Sequence, residues 1–278
     1  MNILPPRRLN SSSWGYLLYG NMKKWGFLLV MAFSLIGCCH AQKKTDQQLT
    51  PRVAKEPSVK KSVSTIRLSS SAGHSALSKT AQALARRGYV NVKDEDPTIF
   101  VSLMYSRPDN FCGVVLYGDL REAYLHPVAA KAIKRAQKYL KSIRPDLSLI
   151  IFDAARPMSI QQKMWDKVKN TSKYYYVSNP AHGGGMHNYG LAVDVSLCNL
   201  KGDTISMGTK VDYMGSAAHI DKEASLVSHH RITRQEEANR LLLRKVMRYA
   251  GWRALPTEWW HFNWCSRATA RKYYKAIP

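Results

Sequence analysis

His187-Asn-Tyr-Gly-Leu-Ala-Val-Asp194 and, further along the chain, Glu258-Trp-Trp-His261 are the two stretches that decide how this protein folds. Together they supply two imidazoles and two carboxylates at short, fixed spacing. A hydrolytic zinc site needs three nitrogen or oxygen ligands, an open position for water, and a nearby carboxylate that takes the proton of that water. Two histidines and one aspartate can be the ligands, which leaves one glutamate as the base. The two stretches therefore predict a hydrolytic metal centre.

The segment around Asp194 is predicted to be a strand that follows a glycine-rich loop. Residues 191–197 are a short apolar and β-branched run, in which Asp194 points to the face opposite Val193 and Val195. Three glycines at 183–185 precede the first histidine and allow positive φ angles and close backbone approach. This favours a loop that borders a site, and a flexible surface turn is the alternative for the glycines alone.

The aromatic stretch at 258–264 is also typical of a strand. Strict alternation would place Glu258 and His261, three residues apart, on opposite faces. For both to serve one metal, the strand must bulge or bend, or one residue must lie where the strand ends. Four ionisable groups in two apolar segments are costly to bury without a partner or a metal, which disfavours a purely structural role.

A third apolar run delivers Asp153 and Arg156 to the end of a predicted strand. Pro157 ends this strand, and Ser159 is predicted to cap a helix that runs through Trp165. An arginine at a strand end can bind a substrate carboxylate with two hydrogen bonds or stabilise an oxyanion. The alternative is a structural ion pair between Asp153 and Arg156.

Taken in order, these motifs resemble those of a known family. Asp153-x-x-Arg156-Pro157, His187-x6-Asp194 and Glu258-x-x-His261 are similar to the zinc D-alanyl-D-alanine dipeptidases, the vancomycin-resistance type within the D-Ala-D-Ala metallopeptidases. The resemblance covers residues 101–264. Accessory stretches resemble the dipeptidases more than the carboxypeptidases of the group: Asp109-Asn-Phe111, Val115-Leu-Tyr-Gly118, Met207-Gly-Thr-Lys-Val-Asp-Tyr-Met214, Asn239-Arg240, Leu243-Arg244 and Met247.

The resemblance implies an α+β fold, a single zinc metallopeptidase domain with a small mixed or antiparallel sheet flanked by helices, as in hedgehog and D-Ala-D-Ala peptidase domains. It implies the following roles: His187, Asp194 and His261 as ligands of one zinc ion, Glu258 as general base and then proton donor, Arg156 as oxyanion stabiliser, and Asp212 as the partner of the dipeptide ammonium group. One departure is that Gly185 and Met186 stand where the family usually has serines, so the exact dipeptide preference is left open.

The function expected from this resemblance is hydrolysis of D-Ala-D-Ala in cell-wall peptide turnover by an exported zinc dipeptidase. A D,D-carboxypeptidase or L,D-endopeptidase that trims peptidoglycan stems is the nearest alternative. The alternative from another class is a non-catalytic, envelope-binding lipoprotein that retains the zinc scaffold. An intact Glu258 argues against the last of these, because a binding role does not need the base.

The N-terminal part of the chain predicts export. Residues 1–41 are an extension and a signal peptide, with a basic segment, a short apolar segment and a lipobox-like Leu35-Ile-Gly-Cys38. A lipidated Cys38 would anchor the protein to a membrane, whereas cleavage after Ala41 would release it into the bacterial periplasm. Residues 42–85 are polar and basic and predict a flexible tether. The catalytic domain is predicted at 86–278.

The spacing of apolar residues and the net charge indicate the fold class and the kind of partner. Apolar residues at helical spacing predict helices at 129–143 and 235–249, which supports an α+β domain. The net charge of +23 favours anionic partners. Nucleic acid is excluded as a partner, because no binding motif accompanies the charge and an export signal precedes the domain.

The cysteines and the remaining histidines are interpreted from the residues around them. Besides Cys38 and Cys39, the cysteines are an odd number without a CxxC pair, which disfavours a cysteine zinc site and leaves one disulfide open: Cys112, Cys198 and Cys265. The remaining histidines in polar stretches are predicted to be loop residues: His182, His219, His229 and His230.

Overall fold

The computed structural model describes residues 77–278, and the predicted signal peptide, the lipobox and most of the predicted tether lie outside these residues. The strands are β1 (Val90–Asn91), β2 (Phe100–Val101), β3 (Tyr124–Leu125), β4 (Leu147–Asp153), β5 (Ala192–Asn199), β6 (Arg253–Leu255) and β7 (Glu258–Asn263). The helices are α1 (Lys79–Arg86), α2 (Val92–Glu95), α3 (Pro127–Ile143), α4 (Met158–Val168), α5 (Glu223–Ser228), α6 (Arg234–Tyr249) and α7 (Arg267–Tyr273). Within the part of the chain that is described, every helix is too short or too polar to cross a membrane.

A five-stranded sheet in the order β2-β4-β5-β7-β6 forms the centre of the domain, and β1 and β3 pair separately. Strands β2 and β4 are parallel, whereas the other neighbours in the large sheet are antiparallel. Helices pack around this small mixed sheet. The predicted α+β class is therefore confirmed.

Strand β5 lies in the middle of the sheet and is buried along nearly its whole length. Its apolar residues on both faces explain why the sequence shows a continuous hydrophobic run instead of clean alternation. Pairing sets Asp153 of β4 opposite Asp194, and Asp194 opposite His261 of β7. The register of three strands thus brings Asp153 and the predicted ligands Asp194 and His261 side by side.

Strand β7 is irregular at the point that the sequence predicts. Its pairing with β5 ends at His261, so Glu258 lies beyond the paired part, at the first position of the strand. On the other edge, the pairing shifts from Ala254 opposite Phe262 to Leu255 opposite Glu258. This shift is a β-bulge, which removes the strict alternation between Glu258 and His261.

The two predicted helices are present with slightly earlier starts. Helix α3 begins at Pro127, with His126 as its N-cap. Helix α6 begins at Arg234, after a capping box in which the side chains of Thr233 and Glu236 each bond the backbone N–H of the other.

The predicted cap of α4 was wrong by two positions. Helix α4 begins at Met158, directly after Pro157, so Ser159 lies inside the first turn. Pro157 takes the N-cap position without a side-chain hydrogen bond, because the chain turns into the helix directly at the proline.

The folded part of the chain begins before residue 86, where the sequence had placed the start of the domain. Ser78 caps α1 through a hydrogen bond from the N–H of Ala81, and Leu84 is buried in the same core as the sheet. The Thr80 hydroxyl also donates to Asp119 at 2.6 Å. Helix α1 therefore belongs to the domain, although it lies within the predicted tether.

Candidate active site

Three side chains converge where β5, β7 and the 3-10 turn Met186–Tyr189 meet. The Nε2 atom of His187 lies 3.3 Å from Oδ1 of Asp194, and Nδ1 of His261 lies 2.9 Å from the same oxygen. The two imidazole nitrogens are 3.2 Å apart. The side chains offer three potential ligand atoms within 4.8 Å of one another, a spacing that suits a metal ion.

The outward nitrogens of both imidazoles are held by neutral acceptors. Nδ1 of His187 lies 2.8 Å from the carbonyl oxygen of Ala154, and Nε2 of His261 lies 2.9 Å from Oδ1 of Asn263. If these outward nitrogens carry the protons, the inward nitrogens present lone pairs to the same point. Metal-binding histidines are commonly oriented in this way, so the donor set fits a divalent metal.

Asp194 and the neighbouring His187 stabilise each other's charged forms. Burial opposes the charge of Asp194, but His187 and His261 outweigh it and hold the pKa of this carboxyl well below its usual range. Burial likewise lowers the pKa of His187, while Asp194 and Asp153 raise it, and the net direction is upward. Asp194 is therefore ionised, as a metal ligand must be.

Glu258 lies beside the three-residue cluster with one oxygen 3.8 Å from Nδ1 of His261. Burial raises the pKa of Glu258 to about 7, with Asp194 and Asp212 adding to the rise and His261 opposing it. A carboxyl with a pKa near the working pH can both accept and return a proton.

Arg156 follows β4 and is almost completely buried. Its guanidinium donates to Oδ2 of Asp153 through Nε at 3.0 Å and through Nη2, and to Gln161 at 2.9 Å. The ring of Tyr105 lies 5.0 Å from it. The ion pair with Asp153 that the sequence offered as an alternative is present, and it fixes the orientation of a guanidinium that still faces the cavity.

Asp212 occupies a left-handed backbone conformation with φ of 69°, which is uncommon for a residue other than glycine. Its carboxylate accepts hydrogen bonds from the Tyr105 hydroxyl at 3.1 Å and from the N–H of Phe111 at 3.3 Å. Burial, with a contribution from Asp194, raises the pKa of Asp212 to about 6. A strained residue held by two donors is typical of a functional position.

One cavity of about 340 Å³ unites the site. All six residues named from the sequence line it: Arg156, His187, Asp194, Asp212, Glu258 and His261. The volume lies at the lower end of the range for small-molecule sites. The structure thus brings together every predicted site residue around a space suited to a small ligand.

Polar cavity residues that the sequence did not indicate include Tyr105, Ser178, Arg253 and Arg267. A Cβ atom at Gly185 would lie 3.0 Å from Oγ of Ser178, so the Ser178 hydroxyl occupies the space beside the side-chain-free Gly185. Ser178 lies in a turn without a periodic pattern, and its only sequence signal was the absence of a serine at 185.

Of the cysteines and histidines without a predicted role in the site, Cys265 lines the cavity, whereas the following do not: Cys112, Cys198, His182, His219, His229 and His230. The cysteines of the described residues are all free, so the disulfide left open by the sequence is absent there. His182, His229 and His230 are exposed, as predicted. His219 is the exception, because its side chain is only 16% exposed and its Nε2 atom has no hydrogen-bond partner in the described part of the chain.

Comparison with known proteins places this geometry in a family. The family described as D-ala-D-ala dipeptidase matches residues 85–277. The D-alanyl-D-alanine dipeptidase of Escherichia coli (strain K12) is 29% identical over 167 residues, which are 60% of this chain and 79% of that protein. The protein of the same name from Enterococcus faecalis (strain ATCC 700802 / V583) is 25% identical over 180 residues, 57% of this chain and 82% of the relative. The protein of that name from Synechocystis sp. (strain ATCC 27184 / PCC 6803 / Kazusa) is 24% identical over 177 residues, 53% of this chain and 72% of the relative. The chain therefore belongs to the D-alanyl-D-alanine dipeptidase family of metallopeptidases.

Proposed function

We propose that this protein is an exported, zinc-dependent dipeptidase that hydrolyses D-Ala-D-Ala in cell-wall peptide turnover. The observation that carries the proposal is one small cavity lined by a His-Asp-His cluster, a half-buried glutamate and a half-buried aspartate. A dipeptide has a free ammonium group close to its only peptide bond. Asp212 offers that ammonium group a carboxylate within the same cavity as Glu258.

Zinc would be held by Nε2 of His187, Nδ1 of His261 and the carboxylate of Asp194. When bound, it supplies Lewis-acid polarisation of the scissile carbonyl and a lower pKa for a water molecule. Imidazole and carboxylate ligands also accommodate other first-row divalent ions, so zinc is to be identified by analysis of the purified protein.

The remaining chemistry belongs to side chains of the cavity. Glu258 takes a proton from the attacking water and returns it to the leaving amine, since its raised pKa suits both steps. Arg156, held in place by Asp153 and Gln161, stabilises the negative charge that develops on the carbonyl oxygen. Asp212 pairs with the substrate ammonium group and fixes the register of the dipeptide.

The size of the cavity favours a dipeptide over a peptidoglycan stem. A carboxypeptidase or endopeptidase must admit the long chain on the amino side of the scissile bond, where this site presents the half-buried Asp212 carboxylate. Placing a neutral amide against that carboxylate would leave a half-buried charge without its partner, which is costly.

The proposal is tested by release of D-alanine from D-Ala-D-Ala by the purified, zinc-loaded protein, beside a pentapeptide stem and a sample treated with EDTA. We expect cleavage of the dipeptide alone, lost with EDTA and restored by added zinc. Cleavage of the stem would move the activity to the carboxypeptidase branch. Inactivity on both substrates with zinc bound would favour the non-catalytic binding role.

Two substitutions separate the base from the metal ligands. Glu258→Gln removes the proton acceptor but not a ligand, so we expect kcat to fall by at least about 100-fold while the zinc content stays at that of the parent protein. His261→Ala removes a ligand, so zinc per protein should fall together with activity. Turnover retained by the Glu258→Gln protein would contradict the assignment of the base.

Export and a lipid anchor at Cys38 are the second part of the proposal, supported by the sequence pattern at 22–38. We expect the full-length protein in the membrane fraction of a bacterial host, labelled by radioactive palmitate. Cys38→Ser should abolish the label and the membrane association. Recovery of the unsubstituted protein from the cytoplasm would contradict export, and recovery from the soluble periplasm would support cleavage after Ala41.

A further inference from the structure

The cavity carries positive charge on the side away from Asp212. Arg253 and Arg267 both line it, and neither makes an ion pair with a carboxylate of residues 77–278. Unpaired guanidinium groups at the mouth of a small cavity attract an anionic group of a ligand. A dipeptide substrate carries such a group at its C-terminus.

The two charged sides lie at opposite ends of β7. The segment before Asp212 is tied to the start of the strand, because the indole N–H of Trp259 donates to the Thr209 hydroxyl at 2.8 Å. Arg267 begins α7, four residues after the strand ends at Asn263, and Arg253 pairs with Asn263. The predicted metal ligand His261 and the base Glu258 lie on the strand itself.

Of the two cations, Arg267 is the one whose guanidinium is hydrogen-bonded within residues 77–278. Its Nη2 atom donates to the carbonyl oxygens of His182, at 3.3 Å, and of Gly184. These partners are neutral, so the contacts orient the guanidinium without cancelling its charge. These two carbonyl groups belong to the loop that leads into Gly185 and His187. The guanidinium of Arg267 is therefore attached to the loop that carries a predicted metal ligand.

The surroundings of Arg267 leave its charge uncompensated. Burial lowers the pKa of Arg267, and the nearby Arg271 lowers it further, because two like charges oppose each other. An anion bound at this position would relieve both effects. Bidentate hydrogen bonding to a carboxylate is the interaction for which a guanidinium is best suited.

We propose that Arg267 binds the C-terminal carboxylate of the dipeptide, so that the cavity recognises both charged ends of its substrate. This inference rests on the proposed function. It gives two of the three arginines that line the cavity separate roles, with Arg156 at the oxyanion and Arg267 at the carboxylate. A substrate without a free carboxylate next to the scissile bond would then be rejected.

Arg271 provides the matched control. It also donates to the carbonyl oxygen of His182, but it does not line the cavity. A merely structural role in holding the glycine loop would therefore be shared by both arginines. Binding of the carboxylate would belong to Arg267 alone.

The test uses zinc-loaded Glu258→Gln protein, which is expected to bind substrate without cleaving it, titrated calorimetrically with D-Ala-D-Ala and with its C-terminal amide. We expect the dipeptide to bind about 10-fold to 100-fold more tightly than the amide, as for a charge-assisted hydrogen bond. Adding Arg267→Ala should remove this preference, whereas adding Arg271→Ala should retain it.

Equal binding of dipeptide and amide, binding of neither, a preference that survives Arg267→Ala, or the same loss in both arginine variants would each overturn the inference. The proposed function is judged separately, by D-alanine release from the parent enzyme. Release of D-alanine together with a preference that does not depend on Arg267 would leave the dipeptidase proposal intact and reject the role of Arg267 alone.

Discussion

Asp212 combines a left-handed backbone with a carboxyl group whose pKa is raised to about 6 by burial. The group is ionised above this pH and becomes neutral below it. The ammonium group of a dipeptide keeps its charge between pH 5 and 7, since α-amino groups titrate near about 7.7 to 8.0. The pairing of the two should therefore weaken as the pH falls through about 6.

We predict that D-Ala-D-Ala binds to the Glu258→Gln protein about 10-fold more weakly at pH 5 than at pH 7, because the fraction of ionised Asp212 falls by about that factor. Glu258→Gln is used as the background so that the titration of the base does not contribute. Calorimetry of the double variant with Asp212→Asn should give weak binding that hardly changes with pH. A decline of similar steepness in the double variant would assign the pH dependence to another group.

The hydroxyl of Ser178 beside Gly185 leads to a second prediction at this scale. Gly185 has a φ of −104°, which any residue can adopt, so only the contact with Ser178 limits a larger side chain there. We expect Ser178→Ala to raise the KM for D-Ala-D-Ala by about 5-fold to 10-fold, because the hydrogen bond expected between the Ser178 hydroxyl and the bound dipeptide would be lost. Adding Gly185→Ser should recover most of this loss, because the deleted hydroxyl leaves room for the new one.

Steady-state kinetics of the two single variants and the double variant measure this exchange. Gly185→Ser alone should be impaired, since its Cβ would lie 3.0 Å from the Ser178 oxygen. Additive losses in the double variant would show that the two positions do not share one hydroxyl site.

At the scale of single residues, the sequence predicted which side chains lie in the cavity where both the residue type and the spacing along the chain suit a metal site. His187, Asp194, Glu258 and His261 were predicted to lie together because ionisable residues are costly to bury in apolar segments without a partner or a metal, and all four line the cavity. Arg267 could not be identified in the same way, since a basic residue in a polar helix is ordinarily solvated. Only the three-dimensional contact of α7 with the glycine loop distinguishes it.

Helix α6 is hydrogen-bonded to both ends of the segment that carries Asp212. The Asn239 side chain donates to the carbonyl oxygen of Ser206 at 2.8 Å, and Arg240 donates to the carbonyl oxygens of Met207 at 2.7 Å and Ala217 at 3.0 Å. These bonds fasten both ends of the segment to the buried face of α6. The resemblance had pointed to Asn239 and Arg240 without giving a reason, and the contacts supply one.

We predict that Asn239→Ala raises the KM for D-Ala-D-Ala by about 3-fold to 10-fold without loss of zinc, because one hydrogen bond that positions the Asp212 segment is lost. Gln235→Ala is the control, since Gln235 lies one turn earlier on α6 and bonds only the Asn239 side chain. Kinetics and zinc analysis of both variants check this. Equal changes in the two would indicate a general weakening of the helix.

At the scale of elements, strands were predicted better than their junctions. The irregularity of β7 followed from the need to bring Glu258 and His261 to one site, and the bulge opposite β6 meets that need. The start of α4 was missed by two residues, because Pro157 and Ser159 are both acceptable at a helix start. Local preference alone does not choose between them.

The extent of the whole domain was the least predictable feature. Residues 79–85 are polar enough to resemble the preceding tether, and only Ala81 and Leu84 mark the buried face of α1. A single helical turn of apolar residues is too short a pattern to be distinguished by periodicity. The packing of α1 against the rest of the domain becomes evident only in three dimensions.

The contribution of α1 to the stability of the molecule can be measured. Leu84 is 2% exposed, so Leu84→Ala should lower the free energy of unfolding by about 2 to 4 kcal/mol, through lost burial and the cavity that remains. Leu77→Ala is the matched control, because Leu77 is 45% exposed and its truncation should change stability by less than about 0.5 kcal/mol. Urea unfolding of both variants gives the comparison, and kcat should be unchanged in each, since neither residue lines the cavity. A Leu84→Ala protein as stable as the control would mean that the domain starts near residue 86 and that α1 contributes nothing to its core.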